Sequence, residues 1–430
     1  MSELKQISEF GTIWNASEFD RPNDDFGNIY LDKKPFESLK NFVAENNDPD
    51  SEIESAFSYH RKKGKDFIQV KNYVGVIETR QGVFIEILPK IYNGTAGNNI
   101  EVNYSRKILL SMLRCLKKSP FKTLDQAHLN STCMPILEIF ISLFLNEIDL
   151  IVKRGIKHNY ISIEENQLFL KGRLLFNRQI KANTIRANRF YVQFDDFKAN
   201  IPQNRILKAT LKYLRNKTHS NKNKRQIEGF LHLFDQVHDI VHIEPDLKKI
   251  NGHNRLFSYY DTALTWAKLF LEGKSFTSYK GKHLNTALLF PMEVLFESYV
   301  AHQLKIQYPE FNITTQDRKH YLLTDLQMNR KKFRIRPDLV IETAEEVIVA
   351  DTKWKLIDQH RASKNYLISQ ADMYQMYAYG KKYNSNRLIL IYPECETFTK
   401  TLHFKYEGEN ELNCEPWKFQ ADNVFISKFK

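Results

Sequence analysis

Two aspartates and a lysine near residue 345 are the side chains whose types and spacing could do chemistry. Residues 336–355, RPDLVIETAEEVIVADTKWK, contain two short apolar runs around a polar patch, which predicts a β-hairpin. If the hairpin is symmetric about the Ala344–Glu345 bond, Asp338 and Asp351 lie opposite one another, with Cβ atoms roughly 4.5 to 5.5 Å apart. Like charges placed in this way destabilise a hairpin. Strand alternation also turns Lys353 to the same face as Asp351.

A divalent cation between the two carboxylates would explain their pairing, because its charge reverses the local electrostatics. Mg²⁺ suits a site with few protein oxygens, since it keeps several waters and takes further ligands from a phosphate; Mn²⁺ is expected to substitute. Lys353 could stabilise charge on a phosphodiester and help to position or deprotonate an attacking water. These residues predict metal-assisted hydrolysis of a nucleic-acid backbone. The alternative is a surface hairpin whose acidic strand ends are solvated.

The elements that would position these groups follow from the hydrophobic periodicity around them. Residues 287–304 have the period of a long buried helix carrying Glu297, which is either a third carboxylate of the site or an exposed helical glutamate. Residues 370–383 predict an aromatic-rich helix, and residues 387–392 predict a buried strand. The order helix, strand, strand, helix, strand predicts a mixed α/β (α+β) fold, with a mixed sheet flanked by helices. Asp351 then ends a buried strand, which favours a functional role.

Three regions are predicted along the chain. Residues 1–130 are β-rich, residues 131–275 are mainly helical, and residues 276–430 contain the mixed sheet. The clearest strands of the first region are at 67–70, 73–78 and 83–88, and the clearest helical pieces of the second are at 206–211 and 264–271. Between Lys212 and Arg225, six cationic residues without an apolar period predict a loop that is either solvated or in contact with phosphates.

Composition narrows the class of protein. The chain has 430 residues, enough for two or three domains, and its formal charge of +12 suggests a polyanionic partner, although charge alone also serves solubility. Four widely spaced cysteines form no zinc motif and are read as free thiols of a reducing compartment. The amino terminus lacks a secretory signal pattern, and the apolar stretch from Met134 carries charges that favour a buried amphipathic helix over a membrane span. A cytoplasmic protein without membrane contact is expected.

The candidate residues resemble the PD-(D/E)XK nuclease motif. Pro337-Asp338 followed by Asp351-Thr352-Lys353 matches its pattern, and Glu297 is similar to the acidic residue of its first helix. The segment from Gln375 to Tyr379 resembles the QxxxY element of a large branch of these nucleases, and Gln370 to Tyr374 has the same spacing. In a helix, either pair shares one face, so the placement stays open.

The wider chain resembles the McrC family, the nuclease subunit of McrBC-type modification-dependent restriction systems. The resemblance runs from about residue 65 to residue 395 and rests on motifs in this order: residues 74–77, 85–91, 154–156 with Tyr160, 171–173, 194–197, 204–207, 289–292 and 295–297. It implies a Mg²⁺-dependent DNA endonuclease in which Asp338, Asp351 and Glu297 hold the metal.

The resemblance also implies roles for the remaining residues and a partner. Lys353 would assist the attacking water. Gln375 and Tyr379 would help to place the substrate and the side chain of Lys353. The partner would be McrB, a ring-forming AAA+ GTPase that recognises modified (methylated) DNA, bound through residues 1–130 and stimulated by this subunit. Two alternatives stay open, a catalytically silent adaptor of an AAA+ ring and a stand-alone DNA repair nuclease.

Overall fold

The computed structural model describes residues 4–20, 23–46, 56–90, 99–116, 120–123, 134–186, 188–240, 242–250, 255–272, 284–407 and 410–418. The chain forms two compact units. Unit 1 combines Met1–Ile136 with Gly273–Lys430, and unit 2 is Leu137–Glu272. The first and third regions predicted from the sequence thus contribute to one unit, and unit 2 lies within the predicted second region.

The amino-terminal segment of unit 1 carries two groups of strands. Its elements are β1 (Leu4–Ser8), β2 (Thr12–Asn15), β3 (Asn28–Leu31), α1 (Lys33–Asn46), β4 (Phe57–Lys62), β5 (Lys65–Val70), β6 (Tyr73–Thr79), β7 (Phe84–Leu88) and α2 (Asn99–Arg114). The predicted strands at 73–78 and 83–88 are confirmed as β6 and β7, which pair antiparallel around a turn in which Gly82 has a φ of 82°. One sheet has the order β3-β2-β5-β4, and β1 joins β7 in parallel in another.

Unit 2 combines helices with a small sheet. Its elements are α3 (Ile136–Arg154, beginning at the last residue of unit 1), β8 (Asn159–Gln167), β9 (Arg173–Leu174), α4 (Phe176–Asn183), β10 (Phe190–Lys198), α5 (Pro202–Arg215), α6 (Asn221–Leu233), α7 (Glu244–Lys249) and α8 (Asp261–Glu272). The strands have the order β8-β10-β9. The apolar stretch after Met134 is largely buried in α3, as predicted. Among the described helices, none combines the length and the apolar content needed to cross a bilayer.

The predicted basic loop at residues 212–225 is wrong, because only residues 216–220 lie between helices α5 and α6. Buried Glu138 of α3 fixes this turn by accepting hydrogen bonds from Thr218 Oγ1 at 2.7 Å, His219 N at 2.5 Å and Asn223 Nδ2 at 2.7 Å. Ser220 then caps α6 by accepting a hydrogen bond from Asn223 N. Five of the six cationic side chains therefore lie on two helix ends, and only Lys217 lies in the turn between them.

The carboxyl-terminal segment of unit 1 contains the largest sheet. Its elements are β11 (Leu284–Pro291), α9 (Met292–Gln307), β12 (Asn312–Thr315), β13 (Tyr321–Asp325), β14 (Arg330–Arg334), β15 (Leu339–Glu342), β16 (Val347–Thr352), α10 (Gln370–Tyr383), β17 (Arg387–Pro393), β18 (Leu402–Lys405) and β19 (Glu411–Trp417). The sheet order is β12-β15-β16-β17-β19-β18, with parallel β16-β17 and β17-β19 pairs and antiparallel pairs elsewhere. The predicted mixed sheet and mixed α/β class are confirmed.

One helix boundary predicted from the sequence is wrong. Residues 287–291 were expected in a helix, but they form the end of β11, which pairs antiparallel with β6, and α9 begins only at Met292. Pro291 marks the change, since it stands at the N-cap with an extended backbone. At Gly75 of β6, an added Cβ would lie 1.9 Å from Leu288 O, so the two strands approach where only glycine fits. This pairing adds β11 to the amino-terminal sheet, whose order is β1-β7-β6-β11.

Candidate active site

The central hairpin has the register that the sequence predicts. Leu339 pairs with Ala350 and Val340 with Val349, which makes Asp338 and Asp351 the next residues facing each other across β15 and β16. The strands are fixed by their apolar runs, because Leu339 to Ile341 and Ile348 to Ala350 are buried on both faces of the sheet. The turn closes through Thr343 N, which donates to Glu346 O at 3.0 Å.

Asp338 is held by the strand opposite. Its Oδ2 accepts hydrogen bonds from Thr352 N at 2.8 Å and from Thr352 Oγ1 at 2.7 Å. Burial raises the pKa of Asp338 above its ordinary value, although these two hydrogen bonds oppose the rise. Both donors bind Oδ2, which orients the carboxylate.

Asp351 and Lys353 form a buried ion pair. Lys353 Nζ lies 2.7 Å from Asp351 Oδ2, and Asp351 is only 2% exposed. Burial, followed by repulsion from Asp338, raises the pKa of Asp351 to about 6 against the attraction of Lys353. Burial alone would lower the pKa of Lys353, but Asp351 and its other acidic neighbours raise it above its ordinary value. Within the described residues, Asp351 Oδ2 accepts no hydrogen bond of good geometry.

Helix α10 presents Gln375 and Tyr379 to this pair. Lys353 Nζ donates to Gln375 Oε1 at 2.9 Å, Gln375 Nε2 donates to Tyr379 OH at 2.8 Å, and Tyr379 OH donates to Arg336 O at 3.1 Å. The chain of hydrogen bonds fixes the lysine relative to the strand that leads to Asp338. The other pair of equal spacing, Gln370 and Tyr374, bonds only to itself among the contacts of the described residues, on the exposed face of the helix.

Glu297 approaches from α9. Its Oε2 accepts a hydrogen bond from Gln316 Nε2 at 2.8 Å. Burial, and then the negative charge of Asp338, raise the pKa of Glu297 to about 7, with a smaller contribution from Asp351. The negative charges of Asp338 and Asp351 therefore act on Glu297 across the site. However, no three His, Cys, Asp or Glu side chains in the described part of the chain are grouped closely enough to hold a metal ion.

A cleft of about 600 Å³ runs beside Glu297 along one face of α9. Its polar lining includes Arg114 at the end of α2, His302 and Lys305 of α9, and Gln316. Burial, and then the neighbouring Arg114, lower the pKa of His302. Of the candidate acidic residues, Glu297 lines this cleft, whose walls combine apolar side chains with cationic and neutral polar ones.

Several residues of the site escaped the sequence reasoning. Asp372 contacts Lys353 Nζ at 3.8 Å and Lys355 Nζ at 3.1 Å. It lies three residues before Gln375 in the same helix, and this i,i+3 spacing could have placed it on the same face as Gln375 from the sequence. Glu9 had no such signal. Its carboxylate is fully buried and accepts hydrogen bonds from Trp354 Nε1 at 2.9 Å and from Lys90 N at 3.0 Å, which joins β1 to the residue after Lys353.

Together these features define a mixed α/β protein with a carboxylate and lysine site on the central hairpin of its sheet. The family model described as McrBC 5-methylcytosine restriction system component matches residues 68–393, and the chain belongs to this family. The predicted McrC-type resemblance over residues 65 to 395 is thereby confirmed at the level of the family. A comparison with curated proteins gave no match.

Two solved structures are similar in fold. The first is the refined half-complex from the tetradecameric assembly of Thermococcus gammatolerans McrB AAA+ hexamers with bound McrC, with 18% identity and a TM-score of 0.69 over 98% of this chain and 96% of that chain. The second is the cryo-EM structure of the Thermococcus gammatolerans McrBC complex, with 18% identity and a TM-score of 0.50 over 69% and 85% of the two chains. At this identity, the likeness concerns the fold.

Proposed function

We propose that this chain is the McrC-like, Mg²⁺-dependent DNA endonuclease subunit of a McrBC-type restriction system. The observation that carries the proposal is the convergence of Asp338, Asp351 and Lys353 on one hairpin, with Gln375 and Tyr379 behind the lysine. A close pair of carboxylates, one buried and one half-buried, is costly unless a function retains it. Family membership supplies the biological setting, restriction of DNA carrying 5-methylcytosine.

The donor set fits a Mg²⁺ ion. Half-buried Asp338 and buried Asp351 share the site, both with raised pKa values, and the oxygen atoms of their two carboxylates are hard donors. Mg²⁺ is usually held by one or two carboxylates, with waters and substrate phosphate completing its shell. Asp338 and Asp351 would hold the ion, and Glu297 would complete or tune the site. When bound, the ion would neutralise the carboxylates and polarise a phosphate oxygen.

The remaining side chains of the site would bind and orient the reacting groups. The Lys353 ammonium, steered by Gln375 Oε1, would stabilise negative charge developing on the phosphodiester and position the attacking water. Tyr379 would keep Gln375 in place through its bond to Arg336 O. The reaction would be hydrolysis of a DNA phosphodiester, in which water attacks phosphorus and the sugar oxygen leaves.

We assign a McrB-like AAA+ GTPase ring as the partner that recognises modified DNA, in the cytoplasm. In support, the similar solved assembly contains McrB AAA+ hexamers with bound McrC. Docking through residues 1–130 stays a prediction. Unit 2 offers a second surface, because the β8–β9 connection, α4 and the residues just after α4 expose large apolar side chains, as protein interaction surfaces do. These are Leu168, Phe169, Leu170, Phe176, Ile180 and Ile185. Partner binding by a Phe176→Ser/Ile180→Ser variant, compared with Phe10→Ser in the amino-terminal segment, distinguishes the two surfaces.

The proposal is tested by cleavage of methylated linear DNA with the purified chain, its AAA+ partner, GTP and Mg²⁺. Calorimetric titration of Mg²⁺ or Mn²⁺ into the same preparations reports metal binding separately. Asp351→Asn is expected to lose both metal binding and cleavage while remaining folded. Glu345→Gln, an exposed change of the same charge in the turn of the same hairpin, is the matched control and should keep both.

Three other outcomes would replace the proposal. Cleavage and metal binding that persist in Asp351→Asn would remove the hairpin from the chemistry. A wild-type chain that stimulates the ring but never cuts would be a silent adaptor. Cleavage of unmodified linear DNA without partner or nucleotide would instead identify a stand-alone repair nuclease.

A further inference from the structure

The β13–β14 hairpin is a two-stranded ribbon that forms its own sheet, apart from the six-stranded sheet. Its register pairs Leu323 with Lys332 and Asp325 with Arg330. All five residues of β14, the sequence RKKFR, are exposed. The ribbon therefore presents both faces of β14 to the surroundings, unlike the buried strand β15 that follows it in the chain.

The charge of this ribbon is strongly positive. Residues 321–334 carry four Lys and Arg residues and one Asp, a net charge of +3, and with the flanking residues the segment 318–336 reaches +6, half of the +12 of the whole chain. Only Lys332 pairs with the single acid, Asp325, at 2.6 Å. The cationic side chains are Arg318, Lys319, Arg330, Lys331, Lys332, Arg334 and Arg336. Such a density of exposed cations favours a polyanion as ligand.

The ribbon is held in place by hydrogen bonds at its tip and by a ring contact at its base. At its tip, Asp325 Oδ1 accepts hydrogen bonds from Gln327 N at 3.0 Å and Met328 N at 3.2 Å, and Asn329 takes a φ of 47° to close the turn. At its base, the His320 ring lies 4.5 Å from the Tyr383 ring of α10. A two-stranded ribbon is marginal by itself, so these anchors maintain its direction.

Apolar side chains on the ribbon are also uncovered. Leu326 at the tip is 92% exposed, and Leu322, Leu323, Met328 and Phe333 are exposed as well. A ribbon of two strands, spaced about 4.8 Å apart, fits the roughly 12 Å wide major groove of B-form DNA. Apolar and aromatic side chains can there contact thymine methyl groups while the cations reach phosphates.

We propose that the β13–β14 hairpin is a duplex-DNA-binding ribbon that lies in a groove and holds the scissile strand at the hairpin of Asp338 and Asp351. The inference rests on the proposed nuclease function for the identity of its ligand. Continuity of the chain supports it, because β14 ends at Arg334, four residues before Asp338, a span of at most about 14 Å. The backbone that binds the duplex is thus the backbone that delivers the carboxylate.

The test is binding of a fluorescent duplex to the full-length chain, measured by anisotropy without Mg²⁺ over a series of salt concentrations. Arg330→Gln/Lys331→Gln/Lys332→Gln is expected to weaken binding about tenfold or more, and to reduce the slope of log K against log salt by about 2 to 3. Arg61→Gln/Lys62→Gln/Lys63→Gln at the β4–β5 turn removes the same charge from exposed positions and should leave the slope unchanged. The single change Lys331→Gln covers the case in which the triple variant is unstable.

The outcomes separate this inference from the proposed function. An unchanged slope in the ribbon variants, or equal losses in the control at the β4–β5 turn, would overturn it. An equal loss of affinity for single-stranded DNA would show that the ribbon does not bind in a groove of the duplex. A loss of partner binding alone would show that the ribbon is a protein contact. The same variants in an Asp351→Asn background report binding without cleavage. A wild type that binds through the ribbon but never cuts would therefore contradict only the nuclease proposal.

Discussion

Replacing Glu9 by Gln should stabilise the protein, and increasingly so as the pH rises. Glu9 has no exposed surface, and it accepts hydrogen bonds from Trp354 Nε1 and Lys90 N. Burial raises the pKa of Glu9 from its ordinary value of 4.5 to about 8, despite these hydrogen bonds. The folded protein therefore holds a proton on Glu9 at neutral pH that the unfolded chain has released.

The sign and size of the effect follow from this difference. Between pH 4.5 and pH 8 the folded state binds more protons than the unfolded state, so the free energy of unfolding falls as the pH rises through this window. Each pH unit within it costs about 1.4 kcal/mol, which gives about 3 kcal/mol at pH 7 as an upper bound. Glutamine keeps one acceptor oxygen for the two donors and carries no titratable group. The Glu9→Gln variant should therefore lose this part of the pH dependence.

Urea unfolding at pH 5.5, 7.0 and 8.5 measures the prediction. The gain of Glu9→Gln over wild type should grow from about 1 kcal/mol at pH 5.5 to about 3 kcal/mol at pH 7. Exposed Glu345→Gln is the control and should leave the pH profile of wild type unchanged. Parallel profiles for Glu9→Gln and wild type would refute the reasoning, since the carboxylate would then be ionised in the folded state.

Two further predictions concern the site and the strand pairing. Tyr379→Phe removes the hydroxyl between Gln375 and Arg336 O, so it should cost about 1 kcal/mol of stability and slow DNA cleavage. The control Tyr374→Phe, on the exposed face of the helix, should change neither property. Thermal melting and initial cleavage rates measure the two effects. Gly75→Ala, at a φ of 138° with a carbonyl 1.9 Å from the new Cβ, should lower the free energy of urea unfolding by about 3 kcal/mol or more. Gly229→Ala on α6 meets nothing within 4 Å and should not destabilise; equal effects of the two glycine changes would contradict the close approach of β6 and β11.

The parts of the structure that depend on local pattern were predictable, and those that depend on distant pairing were not. The register of Asp338 and Asp351 followed from alternation about one short turn. The choice between the Gln375 and Gln370 pairs did not, because both have helical i,i+4 spacing and only the packing of α10 on the sheet brings Gln375 to Lys353.

Contacts between residues far apart in the sequence explain the remaining differences between the predicted and the observed elements. Residues 287–291 are an apolar run that suits a helix or a buried strand, and pairing with β6, far away in the chain, decides for the strand. The turn between the end of α5 and the start of α6 is held by Glu138, which lies 80 positions before Thr218 in the sequence. The contact between Glu9 and Trp354 spans 345 residues and left no local trace.

The pairing of β6 with β11 has a consequence for the synthesis of the protein. The hydrogen bond from Thr286 to Glu78 joins residues 208 positions apart, and all of unit 2 lies between them. At ribosomal rates of about 5 to 20 residues per second, β6 waits roughly 10 to 40 s for its second neighbour, with one edge open to wrong partners. Unit 2 is synthesised in full before then and can fold first on the nascent chain. A fragment starting near residue 276 lacks β6, β7 and Glu9, so the carboxyl-terminal sheet is a poor candidate for expression alone.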